Sequence, residues 1–309
     1  MPLMPRLCLA LSCLVGPAFL PSAIAADDTV STAVFSRVSK EYQRARLPDG
    51  SFKPEYFAIA NGGMVPGTSR DKTVEQVNYP SIVQLVLPQL AKQGYHYAKD
   101  SKQASLLLVL HWGNTVSYND VNYRLSLEPA GQAMAKLQQL KNAGGVGADL
   151  DSASAELEQA LMSVQMQNLI RNQFVAPNAR LLGYIEDINE SNDIRRFAGG
   201  GQRYADLMAD VEQPRYYVII SAYDFREATQ HNRQKLQWVT RVSVATPGNR
   251  FDDSVAAMLK NAAHYFGRDS GRLIRGEETK GTVDLGDLKF LGEAEDPVLV
   301  RKPRDEIGK

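Results

Sequence analysis

The sequence predicts an α+β fold: an antiparallel or mixed sheet packed by helices, with a helical hairpin inserted between two halves of the sheet. Three observations carry this. Leu106-Leu107-Leu108-Val109-Leu110 is the most apolar run beyond the N-terminal segment, and five consecutive aliphatics read as a strand buried on both faces. Two later apolar runs, 216–225 and 236–245, read as its neighbours in the sheet. Between the first run and these two, residues 130–198 follow a helical rather than a strand period.

The chain begins with a targeting segment. Residues 1–6 carry one positive charge and 7–20 form an apolar stretch, shorter than the ~20 residues a membrane span needs. Ala23-Ile24-Ala25 is a small-x-small cleavage site, so 1–25 reads as a signal peptide and leaves the fold. Both cysteines, Cys8 and Cys13, lie inside it, so the mature chain has no disulfide, thiol nucleophile or thiolate metal site. Lipidation at Cys13 is disfavoured, because Ala10 stands where a large aliphatic is expected. The expectation is a cleaved, periplasmic protein with no membrane span in its mature chain. Its α+β domain covers 27–267, the helical insertion 130–198, and an extended, partly disordered tail 268–309.

Val34, Val38 and Tyr42, spaced by four, hint at a helix ending before the turn Pro48-Asp49-Gly50. Residues 52–60 read as a strand closed by Asn61-Gly62-Gly63. Pro80 opens a helix with Ile82, Leu85, Val86 and Leu90 on one stripe, kinked at Pro88 and closed by Gly94. Residues 95–97 read as a short edge strand and 114–123 as a loop. Helices over 130–142 and from Asp151 or Ser152 to 174, joined by Gly144-Gly145-Val146-Gly147, make the hairpin. In the second of them Leu157, Leu161, Met162, Val164, Met166, Leu169 and Ile170 span more than one stripe, which predicts cover on two sides. Pro177 breaks that pattern, 180–197 forms a third helix, and 204–210 a short one. Residues 236–245 alternate, with Trp238, Val242 and Val244 on one face and Gln237, Arg241 and Ser243 on the other, as in a half-exposed antiparallel strand. A helix over 252–266 is capped by Asp252 or Asp253 and closed by Gly267. The tail holds one apolar patch, Val283, Leu285, Leu288, Phe290 and Leu291, and its last residues, 301–309, read as disordered.

The chemistry-bearing residues are few. Thirty-five basic and 35 acidic side chains balance, which argues against a nucleic-acid partner. The four histidines, His96, His111, His231 and His264, show no metal-ligand spacing, and no cofactor is expected. Glu186, Glu190 and Asp193 share a helix face that a solvated charged surface explains as well as a cation does. Gly199-Gly200-Gly201 lacks the order of a phosphate loop, and Ser221 lies outside any nucleophile elbow. What remains is His111 at the end of the central strand, with the aromatic residues Trp112, Tyr118 and Tyr123 as candidate ligand-binding groups.

Gln93-Gly94-Tyr95, Ala104-Ser105-Leu106-Leu107-Leu108, Tyr223-Asp224 and Leu236-Gln237-Trp238, followed by a last helix, stand in a familiar order. Over 52–112 and 215–267 the chain resembles a family of uncharacterised bacterial envelope proteins, often lipoproteins, defined as a domain of unknown function. It departs from that pattern at Ser105, which replaces an aspartate, and in the length of the insertion 130–198. The resemblance implies an α+β envelope domain and brings no catalytic residues. Two functional expectations follow. One is a non-enzymatic binding or adaptor protein with a protein partner in the cell envelope. The other is a periplasmic hydrolase, or a binder of a sugar or peptide, with its site near His111.

Overall fold

The computed structural model describes residues 29–279, apart from 68–69, 117, 119–120 and 199–200 and the side chains of 194–198. The segment 1–25 with Cys8 and Cys13, Asp120, Gly199, Gly200 and the apolar patch 283–291 lie outside the described residues.

The strands are β1 (Thr29–Val38), β2 (Glu55–Val65), β3 (Tyr95–Tyr97), β4 (Leu106–Asn114), β5 (Arg215–Asp224), β6 (Leu236–Ala245) and β7 (Ile274–Thr279). They form one open, mixed sheet in the order β3-β2-β4-β5-β6-β1-β7. β2 lies parallel to both β3 and β4, and the remaining pairs are antiparallel. Eight helices complete the described residues: α1 (Lys72–Glu75), α2 (Tyr79–Lys92), α3 (Val121–Asn142), α4 (Ala148–Leu182), α5 (Ile185–Ala198), α6 (Gln202–Glu212), α7 (Phe225–Gln230) and α8 (Phe251–Ala263). The fold is α+β.

Helices cover the sheet unequally. On one face, α2 and α8 lay Ile82, Val86, Leu90, Val255, Met258 and Leu259 against Phe57, Leu106, Leu108, Leu110, Val218, Ile220 and Val242. Trp238 sits at the centre of this layer, fully buried between Tyr95 at 5.6 Å and Phe266 at 5.9 Å. On the other face, the last turns of α4 join α5 and α6, and bury Val175, Ala179, Leu182, Ile188 and Leu207 against Ala33, Tyr217, Ile219 and Val239. That second layer lies on β5, β6 and β1.

This coverage corrects two expectations. β4 is buried through Leu106, Leu108, Leu110 and Trp112, whereas Leu107, Val109 and His111 are half-buried, so only one of its faces is fully covered. β6, expected to be half-exposed, buries Gln237, Val239 and Ser243 as well as Trp238, because the α4–α6 layer lies over it. The neighbours of β4 are β2 and β5, with β6 one strand further on.

Other differences have local causes. Residues 29–38 are a strand, not the start of a helix. A spacing of four is also a multiple of two, so Val34 and Val38 share a strand face as readily as a helix face. β2 continues through Asn61-Gly62-Gly63, where a bulge absorbs one residue. α3 begins at Val121 and carries Pro129 inside it. α4 begins after Gly147, passes Pro177 and ends at Gly183, whose φ of 84° places it in the left-handed region that favours glycine. α8 starts at Phe251 with Arg250 as its N-cap, and Asp252 and Asp253 occupy its first turn. Asp224 caps α7 by accepting from the amides of Arg226 and Glu227, each at 3.0 Å, within what reads as a polar connection. β7 lies inside the stretch read as tail and adds a seventh strand beside β1.

The segment between β1 and β2 is held by Arg44. Its guanidinium lies over the rings of Phe52 at 4.6 Å and Tyr95 at 4.2 Å, and donates to the carbonyls of Gln93 at 2.8 Å and Lys53 at 3.4 Å. Only 2% of this side chain is exposed.

Candidate functional site

The unequal cover leaves two surfaces that can receive something. The first is the second face of β3, β2 and β4. Its floor is Ala58, Ala60, Leu107 and Val109, all half-buried, and the rings of Tyr56 and His96 lie 6.0 Å apart on its outer side. His111 stands at the upper end of this floor. Its imidazole rests directly over Gly62, where a Cβ atom would meet the ring at 2.5 Å. The bulge in β2 brings Gly62 there, and only glycine leaves room for the ring. Burial holds the His111 imidazole below its ordinary 6.5, favouring the neutral form.

Asp224, the carboxylate that ends the neighbouring strand, lies at the far end of β5 from His111. Leu106 pairs with Asp224 and His111 with Ile219, so five residue pairs, ~17 Å along the strands, separate the two. Asp224 is also committed to the α7 cap.

The expected aromatic cluster divides into three places. Trp112 points into the opposite face from His111, is almost fully buried, and stacks on Tyr79 at 6.5 Å. Tyr118 stacks on Phe174 of α4 at 5.5 Å. Tyr123 lies under the guanidinium of Arg171, at 4.9 Å, and Arg171 pairs with Glu212 of α6. Tyr118 and Tyr123 therefore form the joint between the hairpin and the sheet. Asn178 completes that joint, donating through Nδ2 to the carbonyl of Val116 at 2.7 Å.

Of the carboxylate row on α5, Glu186 pairs with Arg37 and Glu190 lies 4.0 Å from Arg203. Asp187, outside that row, pairs with Arg203 and accepts from the amide of Leu273 at 2.9 Å. Ser221 is buried in the middle of β5. Among the described residues, no group of three or more His, Cys, Asp or Glu side chains is arranged to hold a metal ion.

The second surface is on the hairpin. α3 and α4 pack through Ala133 and Ala153, with Lys136 reaching Glu156 at 2.8 Å. α4 was expected to be covered on two sides. Its other side is instead bare, with Met162 at 71%, Met166 at 59% and Leu169 at 61% exposure. Positions 162, 166, 169 and 170 fall at the i, i+4, i+7 and i+8 spacing of one helix stripe. From Gln159 to Ile170 the helix carries no charge. Leu125 of α3, 62% exposed, adds to the apolar surface of the hairpin. Methionine-rich surfaces of this kind adapt to a partner's shape, because the unbranched side chain changes rotamer easily. The excess of apolar positions over one stripe signalled this surface in the sequence. What the sequence did not show was that only one side has a partner.

Among the described residues no helix is long and apolar enough to cross a membrane. No protein-family model matches the chain, and no curated protein matches it.

Proposed function

We propose that the chain is an exported bacterial cell-envelope protein that acts by binding a protein partner in the periplasm, not by catalysis. The observation that carries this reading is the uncharged, exposed row Met162, Met166, Leu169 and Ile170 on α4. Water is a poor solvent for such a row, and burying it against a complementary apolar surface is favourable by ~25 cal/mol for each Å² removed from solvent. The rigid root at Tyr118, Tyr123 and Asn178 presents the row at a fixed place on the sheet. The export part of the reading rests on the signal-like segment 1–25, and the resemblance to envelope proteins of unknown function agrees with it.

The test uses the full-length precursor in cells, with a photoreactive residue at Met162 or Met166. One envelope protein recovered repeatedly, and lost in Leu169→Asp with an unchanged circular dichroism spectrum, is the expected result. Recovery of no envelope protein from either position, in correctly exported protein, overturns the reading.

A second reading, a binder of a sugar or peptide or a periplasmic hydrolase, takes its support from the open face beneath His111, where Tyr56 and His96 offer rings beside an apolar floor. A ligand screen by thermal shift tests it. Its expected hit loses its effect in His111→Ala and keeps it in Leu169→Asp.

A further inference from the structure

The exposed stripe on α4 extends beyond its methionines, and it reads alike from either end. Counted outward from the peptide bond between Gln165 and Met166, Met162 is matched by Leu169, Glu158 by Gln173, Ala155 by Ala176 and Asp151 by Arg180. Successive members lie three or four residues apart, so they share one side of the helix. All are exposed except Ala176, which is half-buried. Asp151 and Arg180 stand ~44 Å apart along the helix. Among the described residues neither takes part in an ion pair.

Such a stripe complements itself. When two copies of α4 lie antiparallel, related by a two-fold axis at Gln165–Met166, every matched pair becomes a contact between copies and occurs twice. Met162 of one copy meets Leu169 of the other. Glu158 accepts from the side-chain amide of Gln173, and Asp151 reaches the guanidinium of Arg180. The small side chains of Ala155 and Ala176 leave room for the two backbones to approach. A two-fold contact requires this matching, because the same patch must serve on both sides, whereas a partner of different sequence does not require it. The two sheet bodies stay clear of each other. Val175 and Ala179, where α4 joins its own body, fall opposite Glu156 and Ser152 of the other copy, so the bodies begin ~29 Å apart along the helices.

We propose that the occupant of the α4 row is α4 of a second copy of this chain, packed antiparallel across a two-fold axis at Gln165–Met166. This rests on the reading of the row as a protein-binding surface and names its partner. It accounts for the absence of charge from Gln159 to Ile170, since like charges facing each other across the axis would repel. The end charges fix the antiparallel sense. A parallel pair would set Asp151 against Asp151 and Arg180 against Arg180.

The experiment follows sedimentation of the whole chain, purified as cells produce it, with two charge reversals made in separate chains. The wild type should show a concentration-dependent dimer. Asp151→Arg and Arg180→Asp should each weaken it about tenfold at low salt, because each sets like charges together at both ends. An equal mixture of the two variants should form the dimer again, since Arg at 151 then faces Asp at 180 at both ends. Misfolding of either variant cannot produce that recovery. A photoreactive residue at Met162, in an equal mixture of ¹⁴N- and ¹⁵N-labelled chains, should crosslink to the peptide holding Leu169 with the two isotopes joined. A chain that stays monomeric overturns the proposal, as does a dimer that the single variants leave unchanged or that their mixture fails to restore. If the chain is monomeric and the crosslink in cells recovers a different envelope protein, the second copy alone is ruled out and the binding function stands. Neither a dimer nor a recovered envelope protein overturns both.

Discussion

The sheet body and the α3–α4 hairpin are built from similar fractions of apolar residues and dispose of them differently. The body turns its large side chains inward. Trp238, Phe266, Tyr95 and Phe57 are essentially without solvent contact, packed between a sheet and two helices. The hairpin closes on small ones, Ala133 and Ala153, and leaves Met162, Met166, Leu169 and Leu125 outside. Stability is concentrated in the body, and unsatisfied surface in the hairpin. A region that contributes little to its own fold by its largest side chains is free to spend them on something else.

The contrast can be broken from the body first. Trp238→Ala removes the fully buried ring between Tyr95 and Phe266, and should cost ~3–5 kcal/mol in chemical denaturation. A loss below ~1 kcal/mol would mean that the layer repacks and that the body is softer than its burial implies. Arg44→Lys is the next largest. Lysine keeps the charge but not the planar stack on Phe52 and Tyr95, nor the forked donation to Gln93 and Lys53, so ~1–3 kcal/mol should be lost.

His111 lies between the two extremes. Burial lowers its folded pKa below the ordinary 6.5, so the unfolded chain takes up the proton more readily. Stability from this group is present above pH ~6.5 and is lost as pH falls through the folded pKa. Denaturation midpoints of the wild type and His111→Asn should therefore converge as pH falls, and an NMR titration should place the imidazole below 6.5. A titration at or above 6.5 would mean that the face beneath it is wetter than its half-buried residues indicate. The smallest expected effect is at the hairpin. Met166→Gln should change stability by no more than ~0.5 kcal/mol while reducing the partner crosslink, because its side chain is exposed to solvent. A large loss of stability there would show that the row is already part of the core.

What was legible in the sequence follows the same division. Elements whose pattern is self-contained were readable: the helix over 79–92, the strand over 106–114, the edge strand at Tyr95–Tyr97 and the last helix. Those decided by neighbours were not. Residues 274–279 carry Arg275, Glu277 and Glu278 and read as tail, yet β1 supplies the pairing partner that makes them a strand. The cover of β6 depends on helices at 175–211, far from it in the chain. Pro177 looked like a helix end, but the turn at Gly183 is what stops α4. For the candidate site, the neighbourhood of His111 was readable from its place at a strand end. The opposite orientation of Trp112 follows from the two-residue period of the strand. The use of Tyr118 and Tyr123 as a joint depends on Phe174 and Arg171, which no local pattern brings to them.

The placement of β1 has a consequence for how the chain is made. The first strand lies between β6 and β7, and Thr32 meets Val244 only after ~210 further residues have been added. At 5–20 residues per second, ribosomal synthesis leaves β1 without either neighbour for ~10–40 s. During that interval an alternating Val-Thr-Phe segment presents two open backbone edges, the arrangement that recruits stray strands. The nascent chain thus passes through a period in which its beginning is adhesive and its end does not yet exist, and a holding factor that shields residues 29–38 should raise the yield of folded protein more than one acting on any later strand.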